Sequence, residues 1–182
     1  MRKVIIFVMA TLDGYFEGKD HDLSWHNTDK EFTQFSVEQL DEVDTLIFGH
    51  KTYQLMADYW PSQQAKTEDS GVATRMNSLN KVVFSHDAFE AEWENTVVST
   101  NPTEKISELK QQSVKDIMVL GSSHLGAEML EAGLLDEVRV MINPVFIGEG
   151  SALFEGLNKD LKLISTRTFE NGNVLLTYSA KA

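Results

Sequence analysis

The chain has no cysteine and only three prolines in 182 residues. Without thiols there is no disulfide, no thiolate nucleophile and no cysteine-ligated metal. Any site must be built from carboxylates, imidazoles, hydroxyls and backbone amides. Positive charge is also scarce: 16 Lys and Arg stand against 28 Asp and Glu, a formal net charge of -12. Such a chain repels nucleic acid and anionic membranes, so neither is expected as a partner. A local cluster of amides with a few cations can still hold a small anion. Long apolar runs are missing too. Met1-Arg2-Lys3 followed by Val4 to Ala10 imitates the start of a signal peptide, but the run ends at Asp13-Gly14 without a small-residue cleavage site. It falls far short of the ~20 residues needed to span a bilayer. We read it as the first strand of a cytoplasmic protein.

Recognisable catalytic signatures are few. The Gly-x-Gly-x-x-Gly dinucleotide fingerprint is absent. His21 and His26 are close in sequence but lack a third ligand, so no metal is expected. What is present is a normal hydrophobic share of 42% in a length that buries one good core. Residues 1–182 are therefore expected to form a single domain, with no repeat or linker.

Asp116 to Gly150 gives the clearest local pattern. Ile117 to Leu120 reads as a buried strand ending at Gly121. Ser122 and Ser123 are suited to cap a helix that runs through Leu125 and Met129 and closes at Gly133. Leu135 to Ile142 is the next strand, broken by Asn143-Pro144. A strand ending in Gly-Ser-Ser over a helix start offers free amides and a positive dipole end, which suits a phosphate as well as an ordinary capped turn.

The rest alternates in the same way. Lys3 to Met9 is a strand, and Glu17 to Asn27 a polar loop. A helix starts at Thr28 or Asp29, and Thr45 to Phe48 is a second strand. The latter ends in Gly49-His50-Lys51-Thr52, with a helix from Tyr53 to Tyr59 stopped by Pro61. Ser62 to Gly71 is a polar surface excursion, and Val72 to Leu79 one or two helical turns. Lys81 to Ser85 is a third strand, followed by His86; Glu94 to Val98 is another. Asn101-Pro102 opens a helix to about Gln112. Leu161 to Glu170 and Asn173 to Ala180 form an antiparallel hairpin around an Asn-Gly turn. The expected fold is α/β: an open, mostly parallel sheet with helices on both faces and an antiparallel C-terminal hairpin. Ligands in such sheets sit beyond the carboxyl ends of the strands, where Ala10 to Gly14, Gly49 to Thr52, Ser85-His86 and Gly121 to Ser123 fall. Two phosphate-friendly helix starts suggest a ligand with phosphates in two places, such as a dinucleotide.

In their order and spacing these segments resemble the dihydrofolate reductase superfamily. The nearest branch includes the reductase domain of riboflavin biosynthesis. The matching segments are Met9 to Tyr15, Thr45 to Tyr53, Asn80 to Ser85, Val119 to Ser123, Gly133 to Val138 and Pro144 to Gly150. The resemblance implies a dihydrofolate-reductase-like fold and an NADPH cofactor, with NADH possible. It also implies reduction of a small pyrimidine- or pterin-like heterocycle or a carbonyl, as in 5-amino-6-(5-phosphoribosylamino)uracil reductase. By that likeness Gly49, His50, Lys51 and Thr52 meet the adenosine-side phosphates. Ser85 and His86 lie near a 2′-phosphate, Gly121, Ser122 and Ser123 hold the pyrophosphate, and Ala10 and Thr11 face the nicotinamide. The family usually has Arg or Lys where this chain has His50, which leaves the choice between NADP and NAD open.

Glu31 and Asp13 are the proton-donor candidates. Glu31 is most simply a first-turn helix acid, and Asp13 most simply the turn-former of an Asp-Gly pair. Two other functions stand beside the reductase: dihydrofolate reductase proper, and a non-catalytic nucleotide-binding homodimer. The apolar Leu135 to Ile142 strand and Pro144 to Phe154 segment suggest a homodimer, as does the resemblance.

Overall fold

The computed structural model describes residues 2–87, 89–112 and 115–181. The first strand, β1 (Val4–Thr11), is buried along its whole length. Its even residues Val4, Ile6, Val8 and Ala10 enter one core, and its odd residues Ile5, Phe7 and Met9 enter another. A strand covered on both faces reads as a continuous apolar run rather than an alternation, and this one does.

Around β1 the chain lays down β2 (Tyr15–Glu17), α1 (Lys30–Asp41), β3 (Val43–Gly49), α2 (His50–Tyr59), α3 (Gln63–Glu68), α4 (Ser70–Ser78) and β4 (Asn80–Phe84). There follow β5 (Thr96–Ser99), α5 (Pro102–Lys110), β6 (Asp116–Leu120), α6 (Ser123–Glu131), β7 (Glu137–Asn143), β8 (Ser151–Ala152), β9 (Lys162–Thr168) and β10 (Val174–Ser179). The eight-stranded sheet has the order β5-β4-β3-β6-β1-β7-β10-β9. The six strands from β5 to β7 are parallel; β10 pairs antiparallel with β7, and β9 with β10. A second, two-stranded antiparallel sheet joins β2 to β8. Ile106 and Leu109 of α5 and Leu125, Met129 and Leu130 of α6 fill one core. Phe35 and Leu40 of α1, Tyr53 of α2, and Val72 and Met76 of α4 fill the other. This is the expected open sheet with a C-terminal hairpin. No helix among the described residues is long and apolar enough to cross a membrane.

Three local expectations change. The polar excursion at Ser62 to Gly71 contains α3, capped by the Ser62 hydroxyl accepting from Ala65 N–H at 3.1 Å. Ala65 is its one buried residue, so no apolar period marked it. The loop from Glu17 is entered through β2, and the Ser151 to Leu157 segment through β8, because these two short strands pair with each other. The helix after Gly49 begins at His50 rather than Tyr53.

One buried charge ties the α4 side together. Lys81 is 1% exposed, and its ammonium donates to the carbonyls of Leu79 (2.7 Å), Glu94 (3.0 Å) and Asn77 (3.2 Å). It also lies 4.5 Å from the centre of the Trp93 ring. Burial lowers its pKa to about 8, with Glu94 opposing the shift, so the group remains a cation at neutral pH. It satisfies the carbonyls of Asn77 and Leu79 at the end of α4 and that of Glu94 in the segment before β5. Lys81→Met keeps the stem and removes the donor, leaving three acceptors in a dry site. We expect a loss of about 2–4 kcal/mol, read as a fall in Tm of roughly 5–10 °C by calorimetry. An unchanged Tm would show that water reaches these carbonyls.

Candidate functional site

The strands β3 and β6 are neighbours, but the helices that follow them leave on opposite faces: α2 toward the α1–α4 side, α6 toward the α5 side. That divergence opens a crevice at their carboxyl ends, the place where open α/β sheets take ligands. Both helices point their first, unpaired amides into it.

A single hydroxyl links the two starts. Gly121 and Ser122 both adopt left-handed backbone conformations, with φ of 61° and 58°. This double turn swings the Ser122 side chain away from its own helix and across the crevice. Its Oγ accepts from Gly49 N–H at 3.1 Å and is hydrogen-bonded to Thr52 Oγ1 at 3.0 Å. The sequence suits this serine to cap α6; instead it makes no side-chain cap there and reaches Gly49 and Thr52 at the start of the neighbouring helix. The glycines follow from the same geometry. A Cβ on Gly49 would collide with Ser122 Oγ, and one on Gly121 would sit 3.2 Å from Thr52 Cγ2.

His50 opens α2 and stacks on Phe89, with ring centres 4.2 Å apart and planes 8° apart. Its Nδ1 lies 3.4 Å from Ser85 Oγ. His50 and Ser85 thus meet across the ends of β3 and β4. Lys51 and His86 are exposed beside them. Ser123 is buried, and its hydroxyl accepts from Phe154 N–H at 2.8 Å. It anchors the segment after β8, where Phe154 is itself left-handed, with φ of 52°. Ala10 and Thr11 are the last residues of β1 and are buried. Thr11 Oγ1 accepts from Tyr15 N–H at 2.9 Å, which shapes the turn into β2.

The two acid candidates stand apart from the Ser122 link, each held by protein donors. Asp13 is exposed and accepts from Gly148 N–H (2.9 Å) and Ile147 N–H (3.1 Å). Its bond with the Thr11 hydroxyl, aided by these amides, holds its carboxyl below the usual range, so it is an anion that clamps the loop after Pro144. Glu31 accepts from Arg167 (3.2 Å) and from Glu170 N–H (2.9 Å), tying the start of α1 to the β9–β10 hairpin.

Several neighbours were invisible in sequence. Phe16 lies 3.7 Å from where a Gly121 side chain would begin. Asn27 and Asn143 join the end of β7 to the segment leading into α1. They carried no motif; Asn143 read only as the end of a strand.

The chain matches the RibD C-terminal domain over residues 2–175. It belongs to that family. YyaP, an uncharacterized protein of Bacillus subtilis (strain 168), is 33% identical over 181 residues, which cover 97% of this chain and 94% of YyaP. Among solved structures, a pyrimidine reductase-like protein of Corynebacterium diphtheriae has a TM-score of 0.68 at 15% identity, covering 98% of this chain and 91% of that one. A diaminohydroxyphosphoribosylaminopyrimidine deaminase/5-amino-6-(5-phosphoribosylamino)uracil reductase of Thermotoga maritima gives 0.69 at 18% identity, over 98% of this chain and 56% of that longer one. The chain shares its fold with both of these structures.

The segment between β2 and α1 carries a titrating group. His26 stands edge-on to Trp25 with ring centres 4.4 Å apart, and its burial lowers its pKa to about 4 against a small opposing pull from Asp22. A histidine kept neutral by the fold binds its proton more readily when unfolded. The stability this contributes is complete above the ordinary value of about 6.5 and is lost as pH falls from there toward 4. The loss is expected to reach about 2–3 kcal/mol. His26→Phe should flatten the fall of Tm across that window, measured by thermal melts in steps of pH. A parallel fall in both proteins would assign the effect elsewhere.

Proposed function

We propose that this RibD C-terminal domain is an NAD(P)H-dependent reductase. It transfers hydride to a small, flat heterocycle of the pyrimidine or pterin type, or to a carbonyl. The observation that carries this reading is the crevice between β3 and β6, with the starts of α2 and α6 held in one frame by Ser122. The donor set fits a pyrophosphate: the first amides of two helices, the Thr52 and Ser122 hydroxyls, and the exposed Lys51. The His50–Ser85 pair at the end of β4 fits a further phosphate or ribose hydroxyl. Gly121 N–H donates to Phe7 O at 3.1 Å, and β1 continues to Thr11. At about 3.3 Å per residue this leaves roughly 13 Å of strand, room for a ribose and a ring leading to Ala10 and Thr11.

The bound reduced nicotinamide supplies the hydride. The protein's own contribution is binding and orientation. The helix starts hold the phosphates, the end of β1 forms a wall for the ring, and the loop with Trp25 keeps water away. Asp13 and Glu31 serve as groups that fix the walls, Asp13 the loop after Pro144 and Glu31 the C-terminal hairpin. The pyrimidine substrate class rests on the reductase named in the Thermotoga relative.

Titration with NADPH and NADH, followed by nicotinamide fluorescence, tests the reading. Saturable binding is expected. No binding of either at millimolar concentration would leave a fold retained without the activity. Ser122→Ala removes the link between the helix starts but keeps the backbone; we expect binding about tenfold weaker, because the amides must be re-aligned by the ligand. Equal affinity in a folded Ser122→Ala protein would place the phosphates elsewhere.

A further inference from the structure

At the opposite end of the proposed cofactor track lies a cluster of four asparagines. Asn143 is fully buried at the end of β7. Its Nδ2 donates to the carbonyls of Ala10 and Met141, each at 3.3 Å, and its Oδ1 accepts from Asn27 N–H at 2.9 Å. Asn27 and Asn171 exchange side-chain bonds: Asn27 Nδ2 donates to Asn171 O at 2.8 Å, and Asn171 Nδ2 to Asn27 O at 3.0 Å. Asn173, also fully buried, donates to the same Asn27 carbonyl at 2.8 Å. Four separate segments meet here: the ends of β1 and β7, the residues entering α1, and the β9–β10 turn.

We propose that this clasp, with Asn143 at its centre, is a positioning device for the reacting end of the site. It fixes the Ala10 carbonyl relative to the segment that carries Trp25 and His26. The inference rests on the cofactor reading above. A buried amide at a strand end costs more than an apolar residue unless each of its polar atoms is used. Asn143 uses both, and one of its partners is the carbonyl of a wall residue. Reduced nicotinamide reacts productively only when its face is held to within a fraction of an ångström, and that demands supports outside direct contact. The clasp touches the wall and the covering segment, while the phosphate end is held by Ser122. The two ends are therefore separable.

The experiment uses the full chain and NADPH as probe. For Asn143→Ser and Asn171→Ala we expect the dissociation constant to change by less than about threefold. The fluorescence enhancement and emission shift of the bound nicotinamide should shrink at least about twofold in Asn143→Ser, and less in Asn171→Ala. Lys81→Met, destabilised but remote, serves as the control and should keep the unsubstituted signature; a stability effect alone would move all three alike. Asn171 is only half-buried, and Asn171→Ala loses the bond from its Nδ2 to the Asn27 carbonyl and the Oδ1 that accepts from Asn173 N–H but keeps the carbonyl that Asn27 Nδ2 reaches, so this variant carries the test if Asn143→Ser does not fold. Normal signatures in the folded clasp variants would overturn the role of the clasp alone. No binding by the unsubstituted protein would overturn the cofactor reading and this inference with it.

Discussion

The Ser122 hydroxyl is the interaction on which the site depends. Two helices that diverge onto opposite faces of a sheet part from one another directly after their starts. Left alone, their first amides would point into solvent at whatever separation packing allowed. A serine whose side chain reaches back over Gly49 and Thr52 sets that separation with two hydrogen bonds. The requirement propagates backward. For the hydroxyl to reach, the chain must turn through two left-handed residues. For the neighbouring strand to receive it, position 49 must lack a side chain.

The frame that carries this link is organised on β1. Both faces of β1 are buried, so its register against β6 and β7 is fixed by two cores at once. Pairing with β6 stops at Phe7, while pairing with β7 continues to Thr11. The end of β1 is thus supported from one side only, and the asparagine clasp adds hydrogen bonds on that side. The two ends of the crevice are held by different chemistry: a hydroxyl between helix starts at one, buried amides between strand, loop and hairpin at the other.

Much of this was legible in the sequence, and the rest was hidden for physical reasons. Apolar runs ending in glycine marked β3 and β6, because a doubly covered strand is nearly all hydrophobic. Asp29, Asn101 and the turn at Gly172 announced their elements by local capping and turn chemistry. Sequence placed Ser122 correctly at a helix start but not its partner, since a bond between residues 49 and 122 has no local trace. The Asp13 clamp and the Glu31 pairing are likewise long-range. Each acid sits where a first-turn or turn-forming carboxylate is ordinary, and only the fold reveals which donors reach it. Lys81 inverted its usual reading, because a lysine in an apolar strand is expected to reach water and here reaches three carbonyls.

The glycines show how a motif can be misread. A glycine beside a phosphate site invites the view that the ligand's close approach excludes a side chain. Here Gly49 is required by Ser122 Oγ and Gly121 by its φ and by Thr52, before any ligand arrives. A bulky substitution at either position would damage the protein whether or not it binds a nucleotide, so loss of binding there would carry no information about the cofactor. Ser122 is different. Its hydroxyl can be removed with the backbone left free to keep its turn, and what is lost is only the alignment of the two helix starts. The residue that organises the crevice is therefore also the one at which structure and binding can be told apart.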